Sequence, residues 1–242
     1  MVKQVVDYKE RRASEVDRMF SSIARRYDLL NHILSFGLDK GWRRRVASET
    51  RKINCQNILD VCTGTGDMAI ELARQWKGNV HIEAIDFSHE LIHIGRKKLK
   101  KARLNGTISF GESNAETLPY KDERFDVVTI TFGLRNIRNR IQALKEFHRV
   151  TKQGGLFLCL EFSQPVHKVF STLYSFYLIK LVPLIAVVLG SNPDAYRYLG
   201  MTIKDFPSPK ELIQLIESAG WQDVKYLSLA SGIVAIHQGR KK

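Results

Sequence analysis

Hydrophobic positions follow two different periods along the middle of this chain. Between residues 57 and 162, runs rich in β-branched residues are separated by stretches with an apolar residue at every third or fourth position. The strand-like runs are 58–62, 80–85, 108–111, 127–132 and 156–162, and the helix-like stretches are 67–76, 88–103 and 141–151. Strands that alternate with helices form parallel βαβ units. The pattern therefore predicts a doubly wound α/β sheet.

The segments on either side of this region have other patterns. Residues 165–206 form an aromatic and apolar insertion, and they are followed by a helix-like stretch at 209–219 and strand-like runs at 221–229 and 233–237. In residues 1–52, an amphipathic helix that packs on a larger body is predicted by apolar positions at Val16, Met19, Phe20, Ile23, Tyr27 and Leu30. With 242 residues and no internal repeat, we expect one domain, 1–242.

Charge raises the question of an anionic partner. The chain has 38 Lys and Arg against 25 Asp and Glu, a formal charge of +13, which is compatible with a nucleic acid or an anionic membrane surface. Thirteen basic and seven acidic side chains lie in residues 1–52, and another basic run occupies 96–103. That run surrounds a predicted helix and lacks the aromatic residues that stack on bases. We interpret it as a solvated outer face and expect no specific nucleic acid.

Cysteines and the N-terminus indicate the compartment. Cys55, Cys62 and Cys159 form no CxxC pair and have no histidine cluster at metal-ligand spacing, so neither a disulfide framework nor a metal site is predicted. The first residues become charged before an apolar signal region forms. We therefore expect a cytoplasmic protein.

Glycines and carboxylates mark a candidate cofactor site after the first strand. Gly64 and Gly66 permit a tight turn into a helix N-terminus and close approach of a ligand. They also satisfy a dinucleotide fingerprint, with Asp86 placed to bind ribose hydroxyls. Asp60 favours S-adenosylmethionine over NAD, because a carboxylate at an inward strand position needs a cationic partner such as the cofactor's ammonium group. An NAD-dependent reductase and a purely structural turn remain the alternatives.

Two further strand ends carry candidate residues. Asn114 and Ala115 follow the third strand, where a polar residue beside a small one suits the edge of an adenine ring. After the fourth strand come a cation and an amide, Arg135 and Asn136. Ligands of doubly wound sheets bind outside the carboxyl ends of the strands, so these residues are expected to face the cofactor. Turn formation and surface exposure are the simpler explanations for both pairs.

These motifs resemble the ubiquinone/menaquinone biosynthesis C-methyltransferase family. The similarity rests on residues 20–37, 64–67, 86–88, 114–116, 132–136, 195–199 and 232–237. It implies a Rossmann-like class I methyltransferase fold, with a mostly parallel seven-stranded sheet, an N-terminal helical segment over 1–52 and an apolar substrate lid over 165–206. Asp39 departs from the family pattern, which usually has histidine there, and this leaves the role of the N-terminal segment open.

The resemblance also implies a reaction and a cofactor site. The reaction moves a methyl group from S-adenosylmethionine to a ring carbon of a polyprenylated quinol. Demethylmenaquinol is the expected acceptor, with 2-methoxy-6-polyprenyl-1,4-benzoquinol as the alternative and a nucleic-acid-binding or RNA-modifying protein as the alternative from another class. Thr65 and Thr131 join the cofactor set through the resemblance, so that the full set is Asp60, Gly64, Thr65, Gly66, Asp86, Asn114, Ala115 and Thr131.

For the acceptor, Arg135 and Asn136 are expected to place and stabilise the ring oxygen, with Glu161, Tyr196 and Tyr198 as weaker candidates. The lid contains fourteen residues, 176–189, that are apolar except for Lys180. Because about 20 residues are needed to span a bilayer, this run is either a buried core helix or an apolar, membrane-facing lid. The resemblance favours the lid, and the positive charge then holds the enzyme near an anionic inner membrane face.

Overall fold

The computed structural model describes Ala24 and residues 28–104, 106–165, 168–188 and 192–242. Most of the predicted N-terminal helix lies outside the described residues, namely Val16, Met19, Phe20, Ile23 and Tyr27. Leu30, the last position of that pattern, is described and is fully buried. Residues 28–34 are helical, so the periodic pattern ends in a helix that packs inward.

A seven-stranded sheet forms the centre of the described residues, in the order β3-β2-β1-β4-β5-β7-β6. The first five strands pair in parallel, and β7 runs antiparallel between β5 and β6. The strands are β1 (Asn57–Val61), β2 (His81–Asp86), β3 (Ile108–Glu112), β4 (Phe125–Thr131), β5 (Thr151–Phe162), β6 (Gln222–Leu229) and β7 (Val234–Arg240). The predicted doubly wound, mostly parallel sheet is confirmed.

Helices connect the strands and cover the sheet. They are α1 (Leu38–Thr50), α2 (Asp67–Gln75), α3 (His89–Ala102), α4 (Arg140–Val150), α5 (Lys168–Phe176), α6 (Val182–Val188), α7 (Pro193–Lys204) and α8 (Pro209–Ser218). A π-helical turn, Tyr177–Leu181, joins α5 to α6, and short 3-10 turns occupy Leu134–Asn136 and Ala230–Gly232. Most boundaries lie within two residues of the sequence prediction.

The start of β5 is an exception. Residues 156–162 were the predicted strand, but β5 begins at Thr151, which pairs with Phe125 across an irregularity in the β4 ladder. The extra segment contains two glycines. A Cβ on Gly155 would lie 2.5 Å from the Thr151 side chain, so the chain bends tightly there. Polar residues and glycines weaken the hydrophobic signal of a strand, which explains the difference.

Two hydrophobic cores lie on opposite faces of the sheet, because successive strand residues point to opposite sides. Ile58 belongs to the core beneath α2, and Leu59 to the core beneath α4 and α8. A third, smaller cluster joins the N-terminal segment to the insertion, with Leu30, Leu178, Val182, Ala195, Tyr196, Tyr198 and Ile203. The insertion and the N-terminal segment therefore share a core that is separate from the two cores of the sheet.

The apolar run of the insertion has two faces. Leu178 and Val182 are buried, whereas Phe176, Leu184 and Val188 are exposed. Neither of the predicted alternatives applies alone, because one face forms core and the other meets solvent. Within the described parts of the chain, no helix has the length and apolar character required to cross a membrane.

Candidate cofactor and acceptor sites

The loop between β1 and α2 turns through left-handed backbone conformations. Gly64 and Gly66 have φ values of 57° and 82°, and Cys62 adopts φ 53° without being glycine. A Cβ on Gly66 would lie 2.5 Å from the Phe110 ring, so this glycine is required for packing. A Cβ on Gly64 would meet nothing within 4 Å. The open side of the loop, where a ligand can approach the backbone, is therefore at Gly64.

Asp60 lies beneath this loop and is fully buried. Its two carboxylate oxygens accept hydrogen bonds from Thr63 Oγ1 (2.6 Å) and Thr129 Oγ1 (2.7 Å). Burial raises the pKa of Asp60 to about 6, although the two hydrogen bonds act in the opposite direction. Asp60 thus joins β1, β4 and the loop, and the threonine hydroxyls take the place of the cationic partner expected from the sequence.

Asp86 ends β2 and shapes the other side of the loop. Its Oδ2 accepts from the Gly64 amide at 2.8 Å, and its Oδ1 accepts from the Ser88 amide at 2.9 Å. The side chain is only half-buried, and a carboxylate oxygen can accept more than one hydrogen bond. Asp86 is therefore able to bind hydroxyl groups while it holds the loop.

The remaining cofactor candidates surround the same edge of the sheet. Asn114 is exposed, and its Oδ1 accepts from the Glu116 amide at 2.9 Å, which orients the turn. Ala115 is buried beside it. Thr131, at the end of β4, has a buried hydroxyl without a hydrogen-bond partner in the described structure. Because β3, β2, β1 and β4 are neighbours, these residues lie at adjoining strand ends.

These groups fit S-adenosylmethionine. The ribose requires a hydroxyl acceptor, which Asp86 provides, and the adenine requires a polar residue beside a small one, as at Asn114 and Ala115. The open position at Gly64 and the unpartnered Thr131 hydroxyl leave space and hydrogen-bonding capacity for the ligand.

A cluster of charges fastens the N-terminal segment to the cofactor loop. Lys98 Nζ lies 2.8 Å from Asp28 Oδ2 and 3.1 Å from Thr65 Oγ1, and it also contacts Asp67. Thr65 Oγ1 donates to Asp28 Oδ1 at 2.5 Å. We call Asp28, Thr65, Asp67 and Lys98 the Lys98 cluster. The interpretation of residues 96–103 as a solvated face is wrong at Lys98, which is only 26% exposed.

Asp39, in the first turn of α1, also holds the N-terminal segment in place. It is buried, and its carboxylate binds Arg43 Nη1 (2.5 Å), His32 Nδ1 (2.9 Å) and Ser35 Oγ (3.0 Å). Burial alone would raise the pKa of Asp39, but the His32 hydrogen bond and the Arg43 charge outweigh it and lower the pKa. The residue that departs from the family pattern thus fixes the turn between helical residues 28–34 and α1.

An apolar cavity of about 350 Å³ lies between the N-terminal segment and the insertion. The rings of Phe132 and Phe162 are tilted by 31° with their centroids 4.6 Å apart, and Trp42 meets Phe132 edge-on at 6.2 Å. The cavity is also lined by residues of the N-terminal segment, of the 3-10 turn and of the insertion: Phe36, Leu38, Asp39, Arg43, Arg135, Leu173, Tyr174, Tyr177, Leu178, Tyr196 and Tyr198. Phe132 directly follows Thr131, so the cavity begins where the cofactor residues of β4 end.

Arg135 is the buried cation of this cavity. Its Nη1 lies 2.8 Å from Glu161 Oε1, and the same nitrogen donates to the Phe132 carbonyl. Its guanidinium carbon lies 5.4 Å from the centroid of the Phe162 ring. Glu161 is buried and also accepts from the backbone amides of Arg135 and Phe162. Glu161 therefore orients Arg135.

The other acceptor candidates take different positions. Asn136 is absent from the described cavity lining, and its Oδ1 is buried without a hydrogen-bond partner among the described residues. Tyr196 and Tyr198 are buried and line the cavity. Of the two main candidates, Arg135 lines the cavity, whereas Asn136 lies beside it in the 3-10 turn.

Some site residues carry no local signal in the sequence. Lys98 and Asp28 lie 70 positions apart, so their contact depends on the tertiary fold. Tyr174 also lies in the cavity wall, within an insertion whose composition indicates only an apolar segment.

The fold and the site define a methyltransferase that uses S-adenosylmethionine. Solved structures with this fold include the SAM-dependent methyltransferases of Aquifex aeolicus (18% identity, TM-score 0.59, 81% of this chain and 88% of that chain) and Thermotoga maritima (19%, 0.60, 93% and 99%). Residues 5–241 match the ubiE/COQ5 methyltransferase family, and the chain belongs to it. The cofactor predicted from the sequence is confirmed.

A relative illustrates the degree of similarity. The ubiquinone/menaquinone biosynthesis C-methyltransferase UbiE of Geotalea uraniireducens (strain Rf4) is 40% identical over 230 residues, which are 95% of this chain and 97% of the relative. The similarity therefore extends through the sheet, the N-terminal segment and the insertion, and the family predicted from the sequence motifs is confirmed.

Proposed function

We propose that this enzyme methylates a ring carbon of a polyprenylated quinol, and that its acceptor is demethylmenaquinol, which becomes menaquinol. The observation that carries the proposal is the apolar cavity of about 350 Å³ with the buried cation Arg135 in its wall. A quinol has an apolar ring and tail and an oxygen that becomes anionic. The rings of Phe132 and Phe162, tilted by 31° with centroids 4.6 Å apart, offer an aromatic contact surface to a two-ring acceptor. The methoxybenzoquinol of ubiquinone synthesis is the alternative acceptor.

The chemistry requires an activated ring. S-adenosylmethionine supplies the methyl group when bound: its carbon–sulfur bond breaks, the electron pair stays on sulfur, and a carbon–carbon bond forms. The ring carbon becomes nucleophilic when the neighbouring hydroxyl loses its proton, and methylation then releases the proton of that carbon. As the ring becomes aromatic again the oxygen regains a proton, so that one proton passes to water overall. Arg135 is placed to stabilise the oxygen anion, and Glu161 holds the guanidinium in position.

Exclusion of water is the second contribution of the chain. The positive charge of a sulfonium disperses in the transition state, so a dry cavity favours methyl transfer relative to bulk water. Phe132, Phe162 and Trp42 provide this environment. We assign Asp60, Gly64, Thr65, Gly66, Asp86, Asn114, Ala115 and Thr131 to the cofactor, and Arg135 with Asn136 to the acceptor. In this assignment Gly66 shapes the loop, and Asn136 supports the turn that carries Arg135.

The insertion, residues 165–206, covers the cavity as a lid within the single domain 1–242. Its exposed apolar residues, together with those near the cavity on the N-terminal segment, form a surface that we call the apolar rim: Phe36, Leu38, Leu173, Phe176, Leu184, Val187 and Val188. A polyprenyl tail is confined to the bilayer, so the enzyme must meet its acceptor there. We propose peripheral contact of the apolar rim with the cytoplasmic face of an anionic membrane.

Lipid analysis in a host that lacks its own quinone C-methyltransferase tests the acceptor. We expect expression of this chain to deplete demethylmenaquinone and produce menaquinone, as measured by mass spectrometry. The Arg135→Met variant, expressed to the same level, should leave the precursor in place. Conversion of the methoxybenzoquinone precursor alone would replace the proposed acceptor by the alternative, and conversion of neither would contradict the proposal.

A further inference from the structure

An unpaired hydroxyl lies in the wall of the acceptor cavity. Tyr174 lies on α5, lines the cavity, and has a hydroxyl oxygen that is buried without a hydrogen-bond partner in the described parts of the chain. Its neighbour Tyr177, whose ring is stacked at 6.5 Å, donates to the Leu34 carbonyl at 2.8 Å. Tyrosine hydroxyls usually find a partner when buried. The missing partner at Tyr174 therefore points to a ligand.

A second buried donor in the cavity wall also lacks a hydrogen-bond partner among the described residues. The Nε of Arg135 is buried and also has no partner in the described structure, although Nη1 of the same guanidinium binds Glu161. Arg135 lines the cavity with Tyr174, and its positive charge acts on the Tyr174 hydroxyl. Two donors without a protein acceptor thus adjoin one apolar space. A ligand that accepts hydrogen bonds from both donors must carry an oxygen acceptor on a largely apolar molecule.

We propose that Tyr174 donates a hydrogen bond to the acceptor's ring oxygen, beside Arg135, and stabilises the anion formed when that oxygen loses its proton. This inference rests on the proposed quinol acceptor. Hydrogen bonds to a charged oxygen favour its deprotonated form, and two fixed donors in a dry site form an oxyanion-stabilising pair. The quinol proton passes to water, and the Tyr174 proton stays on its own oxygen.

The surroundings of Tyr174 suit a donor and not a base. Burial raises the pKa of Tyr174, with Tyr177 adding to this effect and Arg135 opposing it. The phenol therefore remains protonated at neutral pH. An arginine also remains protonated, so both groups keep the proton that they share with the acceptor oxygen.

Tyr174→Phe removes only the hydroxyl; Tyr226→Phe, at an exposed position of β6 outside the cavity lining, is the control for activity. With demethylmenaquinol carrying a short prenyl tail, we expect Tyr174→Phe to lower kcat about 10- to 100-fold, because one donor of an oxyanion site is lost. The affinity for S-adenosylmethionine should not change. The acidic limb of the pH–rate profile should move to higher pH, since the acceptor ionises less readily. Tyr226→Phe should keep the parent profile.

Thermal unfolding separates a ligand contact from a structural one. An unpaired hydroxyl contributes no hydrogen bond to the free enzyme, so Tyr174→Phe should leave Tm unchanged or raise it. Tyr177→Phe loses its bond to Leu34 and should lower Tm. A lower Tm for Tyr174→Phe than for Tyr177→Phe would contradict the proposal.

A binding measurement without the cofactor distinguishes this inference from the proposed function. The absorbance of bound 1-naphthol reports whether its hydroxyl is ionised. We expect the parent enzyme and Tyr226→Phe to lower the pKa of bound 1-naphthol more than Tyr174→Phe does. Equal naphthol pKa values in parent and Tyr174→Phe would overturn the inference. Failure of the parent to methylate any quinol, with the naphthol difference intact, would overturn only the proposed quinol acceptor.

Discussion

Asp60 and Asp86 are the two carboxylates that we assign to the cofactor site, and they differ in their surroundings. Asp60 is enclosed by two threonine hydroxyls and has no exposed surface. Asp86 binds two backbone amides and keeps an accessible face. A ligand can therefore contact Asp86 directly, whereas it meets only the electric field of Asp60.

Replacement of Asp86 by alanine should weaken cofactor binding. The change removes a charged acceptor for ribose hydroxyls and releases the Gly64 amide. Since one hydrogen bond to a charged group contributes about 1.5–3 kcal/mol, we expect a loss of affinity of about 10- to 100-fold. Titration calorimetry with S-adenosylhomocysteine measures it. Glu112→Ala, at the end of β3, is the control, and equal affinities for the two variants would contradict the assignment.

The Lys98 cluster belongs to the scale of elements, because it joins α3 and the cofactor loop to the N-terminal segment. Asp28 lies in the helical residues 28–34, which continue through the Asp39 turn into α1. This same stretch, from Asn31 to Arg43, supplies one wall of the acceptor cavity. The cluster therefore couples the conformation of the cofactor loop to the conformation of the cavity wall.

Lys98→Met should increase the mobility of both the cofactor loop and the N-terminal segment. The variant leaves the Asp28 and Asp67 carboxylates without their shared cation, and the pairs are partly exposed, so we expect a modest effect of about fivefold on S-adenosylhomocysteine affinity. Amide exchange in residues 28–43 should become faster. Lys97→Met, at an exposed neighbouring position, is the control. Unchanged exchange in residues 28–43 of Lys98→Met would show that the cluster does not hold this segment.

His237 links β7 to the start of α8. Its Nε2 lies 3.0 Å from the Pro209 carbonyl, and burial lowers the pKa of the ring to about 4, with the hydrogen bond acting in the opposite direction. The unfolded chain has a histidine pKa of about 6.5. Below that value the unfolded state takes up a proton that the folded state resists, so stability falls as the pH decreases from about 6.5 towards 4.

The expected loss is about 2 kcal/mol of unfolding free energy between pH 7.5 and pH 5 from this residue alone. Urea unfolding gives the free energy of unfolding of the parent and of His237→Gln at each pH. The difference between their pH dependences isolates the contribution of His237, because the other groups titrate in both proteins. His93→Gln, at an exposed position, is the control. A parent and a His237→Gln protein with the same pH dependence would contradict the assignment.

Sequence patterns predicted the parts of the molecule that depend on local periodicity. The strands β1 to β4 and the helices between them appear close to their expected positions, because their apolar faces repeat with the period of the element. The glycine loop and Asp86 were found because parallel strands bring their carboxyl ends together. The cavity, the Lys98 cluster and Tyr174 depend on contacts between distant segments, for which local patterns contain no information.

At the scale of the whole molecule, the proposed membrane contact depends on the apolar rim and on the net charge of +13. The rim presents large exposed side chains, including Phe36 at 79% and Val188 at 77% exposure. Exposed apolar patches of this kind mark interaction surfaces. Basic side chains add about 1 kcal/mol each when they lie near an anionic surface, and salt screens this contribution.

Vesicle sedimentation separates the two contributions. We expect binding to phosphatidylglycerol vesicles to weaken as salt increases, without a change in cofactor affinity. Leu184→Asp combined with Val187→Asp should reduce binding at least about tenfold, because charges replace apolar side chains that enter the interface. Leu227→Asp, on the edge strand β6, is the matched control. If the two proteins bind equally, the rim is not the membrane surface.

Transfer of an isotopically labelled methyl group to reduced demethylmenaquinol tests the central claim most directly. The purified enzyme, with S-adenosylmethionine labelled at the methyl carbon, should produce a labelled quinol that reoxidises to menaquinone, because methylation at ring carbon leaves both oxygens free. Mass spectrometry and fragmentation locate the label. A product that cannot reoxidise would carry the methyl group on oxygen, and such a product, or the absence of labelled product, would contradict the account.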